Sequence, residues 1–558
     1  MNDRRTGLVP RPARVRPLEG TLPLAAAPRV IAAAADAGLA RTLTQALAAV
    51  PWPSSPEAGR PAQLTVETAP DLAPEAYRLA ITPAGITIAA GGPPGAFYAA
   101  QTIRQLLPDA AWRAAPVPAA TAGWHLPCAV IDDAPALSWR GAHLDLARHF
   151  FPKRELLALI DAFAALKLNR LHLHLTDDQG WRVESRIYPV LHEVGSHRLR
   201  TRLNHGSEHP PVYDGTPHGG YYTLADLAEI AAYAAARMIT VVPEIEVPGH
   251  ASALLAARPD LGAGTPPPGG YQVLADWGIF PYLMSPLPAT RDFLRDVFGE
   301  LLAAVPAPYV HIGGDECVLD AWRDDPAVDA YRRQRGLAGP GELHAAFLRE
   351  VADLLAADFG ARAVVWDEGF ASADGTPQRL RADTIVMAWR GAGIGRRAAA
   401  AGHDVIAAPV LPTYFDYHQS DDPAEPGGIG GPVTLADVAA FEPVPGDWPD
   451  AARRHLIGTQ FQVWTEYIAT SRELEYMIFP RACALAGVAW SGAAIPPGEL
   501  EARLAAQLRR LDAAGLEYRP LAGPALGQAG GTGPRAHRPG ARISEVVAHL
   551  DDLATGAP

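Results

Sequence analysis

The sequence predicts an α/β chain: a (β/α)8 barrel of the TIM type, preceded by a small α+β domain. Three observations carry this. From about residue 134, short apolar segments of strand length alternate with amphipathic helical ones, about eight times over. Nearly every strand-like segment ends in a polar or aromatic cluster, which is where a barrel carries its function. No G-x-G-x-x-G follows the first such strand, which weakens the alternative of a doubly wound open sheet.

The chain divides by pattern into an N-terminal α+β accessory domain (1–133), the barrel (134–500) and a helical and irregular tail (501–558). In the first part, TLPLAAAPRVIAAAADAGLARTLTQAL reads as a strand and then a helix. AYRLAITPAGITIAAGG alternates apolar and polar residues about a Pro-Ala-Gly turn, the pattern of a β-hairpin. Phe97, Ala100, Ile103 and Leu106 recur at helical spacing.

The barrel strands read as SWRGAHLDLA, NRLHLHLTDD, ITVVPEIEVPGH, PYVHIGGDE, RAVVWDEGF, DTIVMAWRG, HDVIAAPVLPTYFD and LIGTQFQVWTE. Between the earlier ones lie FPKRELLALIDAFAALKL, TLADLAEIAAYAAARM, RDFLRDVFGELLAAV and ELHAAFLREVADLLAAD, all amphipathic. Past Ser491 the pattern turns helical, then loose, and SEVVAHLDDLATGAP reads as a short helix or a frayed end.

Bulk numbers bound the function. The 558 residues are 48% hydrophobic and 20% charged, with a net charge of -13. That balance suits large cores and argues against nucleic acid or an anionic membrane as partner. Three cysteines without a C-x-x-C pair suggest neither a disulfide framework nor structural zinc. The N-terminal MNDRRTGLVPRPARVRPLEG is basic, but no apolar core follows it. The expectation is therefore no signal peptide, no membrane span and a cytoplasmic location.

Four constellations hold chemistry. Asp315 and Glu316 end an apolar strand after two glycines, which places paired carboxyls at a barrel mouth. Cys317 follows them, so a thiol nucleophile is a competing reading. WRGAHLDLARHFF carries Arg140, Asp145 and Arg148, and an arginine near the strand start reads equally as a solvated charge or as a fork for ligand hydroxyls. His172 and His174 share one strand face, with Asp177 and Asp178 beyond. Together with Glu244, Glu246 and His250 they leave open a metal-dependent barrel hydrolase. Trp366, Trp389 and Trp464 fall near three strand ends, with Tyr414, Asp416 and Glu466 near the ends of two. Such a set suggests an aromatic-walled pocket for a sugar face or an acetamido methyl. Asp367-Glu368 repeats the acidic pair beside Trp366 and reads as structural.

Taken together, WRGAHLDLARHFF, LKLNRLHLHLTDDQGWR, VPEIEVPGH, HIGGDE, VVWDE, MAWRG, YFDY and VWTEYI, in this order, resemble glycoside hydrolase family 20, the β-N-acetylhexosaminidases. The resemblance covers about Leu22 to Ser491. It implies exo-acting, retaining hydrolysis of terminal β-linked GlcNAc or GalNAc, with the substrate's own acetamide as nucleophile and an oxazolinium intermediate. By the same resemblance Glu316 is the general acid/base, Asp315 orients the acetamide nitrogen, and Tyr414 donates to the acetamide oxygen. Trp366, Trp389 and Trp464 wall the sugar. Arg140 and Glu466 hold ring hydroxyls with Asp416 beside them, and Asp177 with His250 supports the acid. No cofactor and no metal are implied, and the partner is a small carbohydrate with a terminal N-acetylhexosamine. Gly487 and Leu287 depart from the family pattern, where a glutamate and a polar residue are usual. Disaccharide release of the lacto-N-biosidase type is the alternative within the family. A metal-dependent hydrolase and a non-catalytic glycan binder are the alternatives outside it.

Overall fold

The computed structural model describes residues 4–53, 61–115, 124–371 and 379–529. The second helical reading, in SEVVAHLDDLATGAP, lies outside them. The first part of the chain forms a six-stranded sheet in the order β1-β6-β4-β5-β3-β2. Its strands are β1 (Arg14–Leu24), β2 (Arg29–Ala32), β3 (Gln63–Thr68), β4 (Tyr77–Thr82), β5 (Gly85–Ala90) and β6 (Trp124–Asp133). The hairpin is β4–β5, closed where Thr82 pairs with Gly85. Alternation in β4 sends Tyr77, Leu79 and Ile81 inward and Arg78 outward. Helices α1 (Ala37–Ala48) and α2 (Pro93–Leu106) pack on each other and on this sheet.

Eight parallel strands close the barrel: β7 (Trp139–Asp145), β8 (Arg170–His174), β9 (Thr240–Glu244), β10 (Tyr309–His311), β11 (Arg362–Trp366), β12 (Ile385–Ala388), β13 (Val405–Ala407) and β14 (Leu456–Phe461). Each pairs with the next, and β14 returns to β7. The alternation in LHLHL decides what faces where. Leu171, Leu173 and Leu175 join the large core under the helices. That layer includes α3 (Lys153–Ala165), α4 (Leu224–Ala235), α5 (Pro288–Ala304) and α6 (Pro340–Phe359). His172 and His174 turn into the barrel, where Trp139, Val242, Val364, Trp366, Ile385, Met387 and Ile406 form a small inner cluster.

Inside the barrel, one carboxylate gathers three histidines. Glu244 lies within ion-pair distance of His172 (3.0 Å), His311 (2.5 Å) and His174, and accepts from the Trp366 indole at 3.1 Å. Burial opposes charge on His174, but Glu244 and Asp177 outweigh it and raise its pKa to about 10. Burial wins at His172, whose pKa falls to about 4. The H-x-H pair is thus divided: His174 carries a proton between two carboxylates, and His172 stays neutral. His174, which the metal reading needs as a ligand, has both ring nitrogens engaged by Glu244 and Asp177.

The two domains meet at the foot of the barrel, and this overturns the role expected of Arg140. Trp139, Gly141 and His143 alternate inward on β7, so Arg140 points outward. It also sits at the strand's start, five residues or about 16 Å from the catalytic end. Its guanidinium donates to Glu75 at 2.7 and 3.2 Å, to the Tyr98 hydroxyl at 2.9 Å and to the Leu137 carbonyl at 2.8 Å. Arg140 is a clamp between domains and does not reach the pocket. Beside it, Asp133 accepts from Lys167 (2.7 Å), Tyr77 (2.7 Å) and the Trp490 indole (2.8 Å). Arg140→Met is expected to destabilise the protein by about 3 kcal/mol, because Glu75 loses its cation and keeps only the neutral donors Tyr98 and Asn169. Denaturant unfolding reads this, and activity per folded molecule is expected to stay within about twofold of the original protein.

Towards the end of the described residues lie α7 (Arg481–Ser491) and α8 (Glu499–Ala514). The second packs against Arg4–Gly7 and Asp109–Trp112 of the first domain. Gly487 leaves room that the Ile495 side chain takes: a Cβ there would meet it at 2.8 Å. Leu287 stands at the N-cap of α5 without a capping hydrogen bond. No helix among the described residues is long and apolar enough to cross a membrane.

Candidate active site

The chain leaves β10 through Gly313 and Gly314, both at positive φ (62° and 96°). At Gly313 only a missing side chain serves. A Cβ would fall 1.7 Å from an oxygen of Glu246, and the left-handed backbone penalises other residues as well. This turn lifts Asp315 and Glu316 over the barrel mouth. Glu316 itself adopts φ 48°, and so does His250 across from it. Strain in two facing non-glycine residues is held only where surrounding contacts over-determine it.

Those contacts run through His250. Its Nε2 lies 3.4 Å from Glu316 and 3.9 Å from Asp315. Its Nδ1 lies 3.0 Å from Asp178 and 3.3 Å from Asp177. Burial opposes charge on His250, but these carboxylates outweigh it and hold its pKa well above the usual range. Asp177 in turn meets Arg148 at 2.9 Å and His174 at 2.9 Å, and these cations hold it ionised despite its burial.

The two acids are placed differently. The Asp315 side chain is 13% exposed and that of Glu316 is 34%. Burial, reinforced by Glu316 and Glu244 and opposed by His250, pushes Asp315 up to about 7. One carboxyl is therefore sunk in the wall, and its neighbour faces the opening. The thiol of Cys317 is turned away, donating to the Asp315 carbonyl at 3.2 Å. Burial and Asp315 raise its pKa well above the thiol range, which leaves it a poor nucleophile.

A cavity of about 320 Å3 opens beside the pair. Trp366, Trp389, Tyr414 and Trp464 line it, with Trp366 and Trp464 at 5.8 Å and Trp389 and Tyr414 at 6.5 Å between ring centroids. Asp177, His250, Asp416 and Glu466 line it as well. Burial, with Glu466 nearby, raises Asp416 well above the usual carboxylate range. One Asp416 oxygen is buried and accepts no hydrogen bond among the described residues, so it is set to receive a ligand hydroxyl. Asp367 and Glu368 are spent elsewhere. Asp367 holds Arg390 at 2.5 Å and the Trp389 amide at 2.9 Å; Glu368 holds the Trp389 indole at 2.7 Å. The second acidic pair thus fixes one tryptophan of the wall.

The arginine at this pocket is Arg148, which sits three residues past the end of β7. It reaches Asp145 (3.3 Å), Asp177 (2.9 Å) and Gln179 (2.9 Å), and lies over the Trp464 ring at 5.1 Å. Its place after the strand's end was the signal that separates it from Arg140. Arg148→Met takes a buried cation away from Asp145 and Asp177, and about 3 kcal/mol of stability is expected to be lost. Thermal unfolding checks this, with a raised KM in whatever fraction folds.

An acid pair at the C-terminal mouth of a (β/α)8 barrel, one carboxyl sunk and one open beside an aromatic-walled cavity, defines a barrel glycosidase. Models of known families agree: residues 137–493 match the glycosyl hydrolase family 20 catalytic domain, and residues 5–134 match domain 2 of that family. The chain belongs to glycoside hydrolase family 20. A β-hexosaminidase of Porphyromonas gingivalis is 36% identical over 82% of this chain, which spans 56% of that relative's length. A β-N-acetylhexosaminidase of Cellulomonas fimi is 37% identical over 78% of each chain. The solved exo-β-N-acetylglucosaminidase of Vibrio harveyi, in complex with N-acetylglucosamine, superposes with TM-score 0.77. It is 30% identical, with 92% of this chain and 78% of that chain covered. The Streptomyces plicatus N-acetyl-β-hexosaminidase superposes with TM-score 0.74 at 30% identity, over 94% and 97%.

Proposed function

We propose that the protein is an exo-acting, retaining β-N-acetylhexosaminidase that removes single terminal GlcNAc or GalNAc residues by substrate-assisted catalysis. The observation that carries this is the unequal acid pair. Oxygens of Asp315 and Glu316 lie within 4.8 Å of each other and of a His250 ring nitrogen; both line the cavity, and Glu316 is the more open of the two.

Glu316 gives its proton to the glycosidic oxygen as that bond breaks. The acetamide carbonyl oxygen of the sugar attacks C1 and closes an oxazolinium ring. Asp315, ionised, accepts the acetamide N–H and offsets the positive charge that develops. Tyr414 donates its hydroxyl to the acetamide oxygen and fixes its line of attack. Glu316 then takes a proton from water, which opens the ring at C1 with retention. Trp366, Trp389 and Trp464 hold the ring and the acetyl methyl. Asp416, Glu466 and Arg148 take the ring hydroxyls. Asp177 and His250 keep Glu316 aimed at the leaving oxygen.

A cavity of about 320 Å3, at the low end of ligand pockets, favours release of one sugar over a disaccharide. Proton NMR of the first product from an aryl β-GlcNAc tests the stereochemistry. The β-anomer is expected to appear first; the α-anomer first would overturn retention.

A further inference from the structure

A second cavity, of about 220 Å3, lies where α2 and the turn Asp109–Trp112 meet α3 and α8. The end of α3 that lines it leads into the start of β8, so it lies at the foot of the barrel, away from the catalytic loops. In a protein of net charge -13, this spot is cationic. Arg104, Arg113 and Arg510 line it. The carboxylate that also lines it, Asp161, already accepts from Arg237 and from the Tyr233 hydroxyl (2.9 Å).

Donors outnumber acceptors there. Arg104 Nε, Trp112 Nε1 and Arg510 Nε are buried and have no acceptor among the described residues. Trp112 is 7% exposed and Arg510 2%. Arg104 lies over the Trp112 ring at 4.1 Å, and no ion pair to it is found among the described residues. Buried donors without acceptors cost free energy, and charged ones cost more. The volume is several times the ~30 Å3 share of one water. An oxyanion would supply acceptors to all three donors and a counter-charge to the arginines.

We propose that this cavity binds a small oxyanion, a phosphate or carboxylate group, held by Arg104, Arg510 and the Trp112 N–H, with the rest of the ligand against the Trp112 ring. Sodium phosphate and, separately, sodium acetate are titrated calorimetrically into the whole protein at constant ionic strength. Saturable binding of at least one anion is expected, and the arm that binds says which oxyanion is preferred. Arg104→Met keeps the stem over Trp112 and is expected to weaken binding about tenfold or more. Trp112→Phe, which keeps a ring and loses the N–H, is expected to weaken it too and serves where the first variant does not fold. Hydrolysis of an aryl β-GlcNAc is expected to stay unchanged in both and reports folding. Absence of saturable binding to the original protein overturns the proposal, as does undiminished binding by the folded variants.

Discussion

Glu316→Gln is expected to lower kcat/KM on an aryl β-GlcNAc with a poor leaving group by about 10²–10⁴-fold, the range that general acid catalysis supplies. Glutamine keeps the size of the side chain and its place opposite His250, so folding should be preserved. What is lost is the proton that the leaving oxygen needs. A dinitrophenolate leaves without that proton, so the deficit on a dinitrophenyl glycoside should shrink in its first step. The second step still needs a base to activate water, and the intermediate should then accumulate as a burst. Steady-state rates on a series of aryl leaving groups check this. A deficit that does not vary with the leaving group would remove Glu316 from the acid role.

Asp315→Asn is expected to cost about 10²–10³-fold in kcat, comparable to removing one pre-aimed electrostatic stabiliser. An amide still meets the acetamide nitrogen but brings no negative charge to the oxazolinium. The pH profile should carry the same signature. Asp315 titrates near 7 in the free protein and acts ionised, so kcat/KM of the original enzyme should rise with pH through about 7. The variant should lose that limb. Stability should move the other way. The folded carboxyl holds its proton to a higher pH than the unfolded one, whose ordinary value is about 3.9. Its contribution to stability is therefore present below pH ~4 and is lost as pH rises to about 7. Asparagine removes the buried charge, so the variant should melt above the original protein at pH 8, with the gap narrowing towards pH 4. Thermal unfolding at the two pH values measures it. An active site that pays in stability for a buried acid is a common arrangement.

Strand identity and barrel closure were legible because the alternation in LHLHL and the apolar runs at the other strands are local signals. The loop that carries Asp315 and Glu316 was legible for the same reason, since Gly313-Gly314 announces it. The Arg140 role was not, although the rule that decides it was available. Parity puts Arg140 outward and at the strand's foot, and the partner that claims it, Glu75, is 65 positions away. The same limit hid the seating of α8 on residues Arg4–Gly7, about 500 positions earlier in the chain. Tyr414 was expected at the end of a strand. That strand stops at Ala407, and a short turn at Val410–Thr413 carries Tyr414 back to bridge Gln462. Pro409 and Pro412 lack the N–H groups a continuing strand would need. The division of labour between His172 and His174 was also beyond the sequence, because it depends on how Glu244, from the neighbouring strand β9, and Asp177, just past β8, are shared between the two rings.

The central claim is that the acetamide of the substrate, and not a side chain, attacks C1. Its most direct test is the ratio of kcat/KM for an aryl β-GlcNAc to that for the matching aryl β-glucoside. The two share leaving group and ring and differ only in the group at C2. Loss of the internal nucleophile should reduce the glucoside rate by about 10⁵-fold or more, the scale of a well-oriented intramolecular reaction. Comparable rates on the two substrates would mean that Asp315 or another carboxylate attacks directly, and would contradict the account.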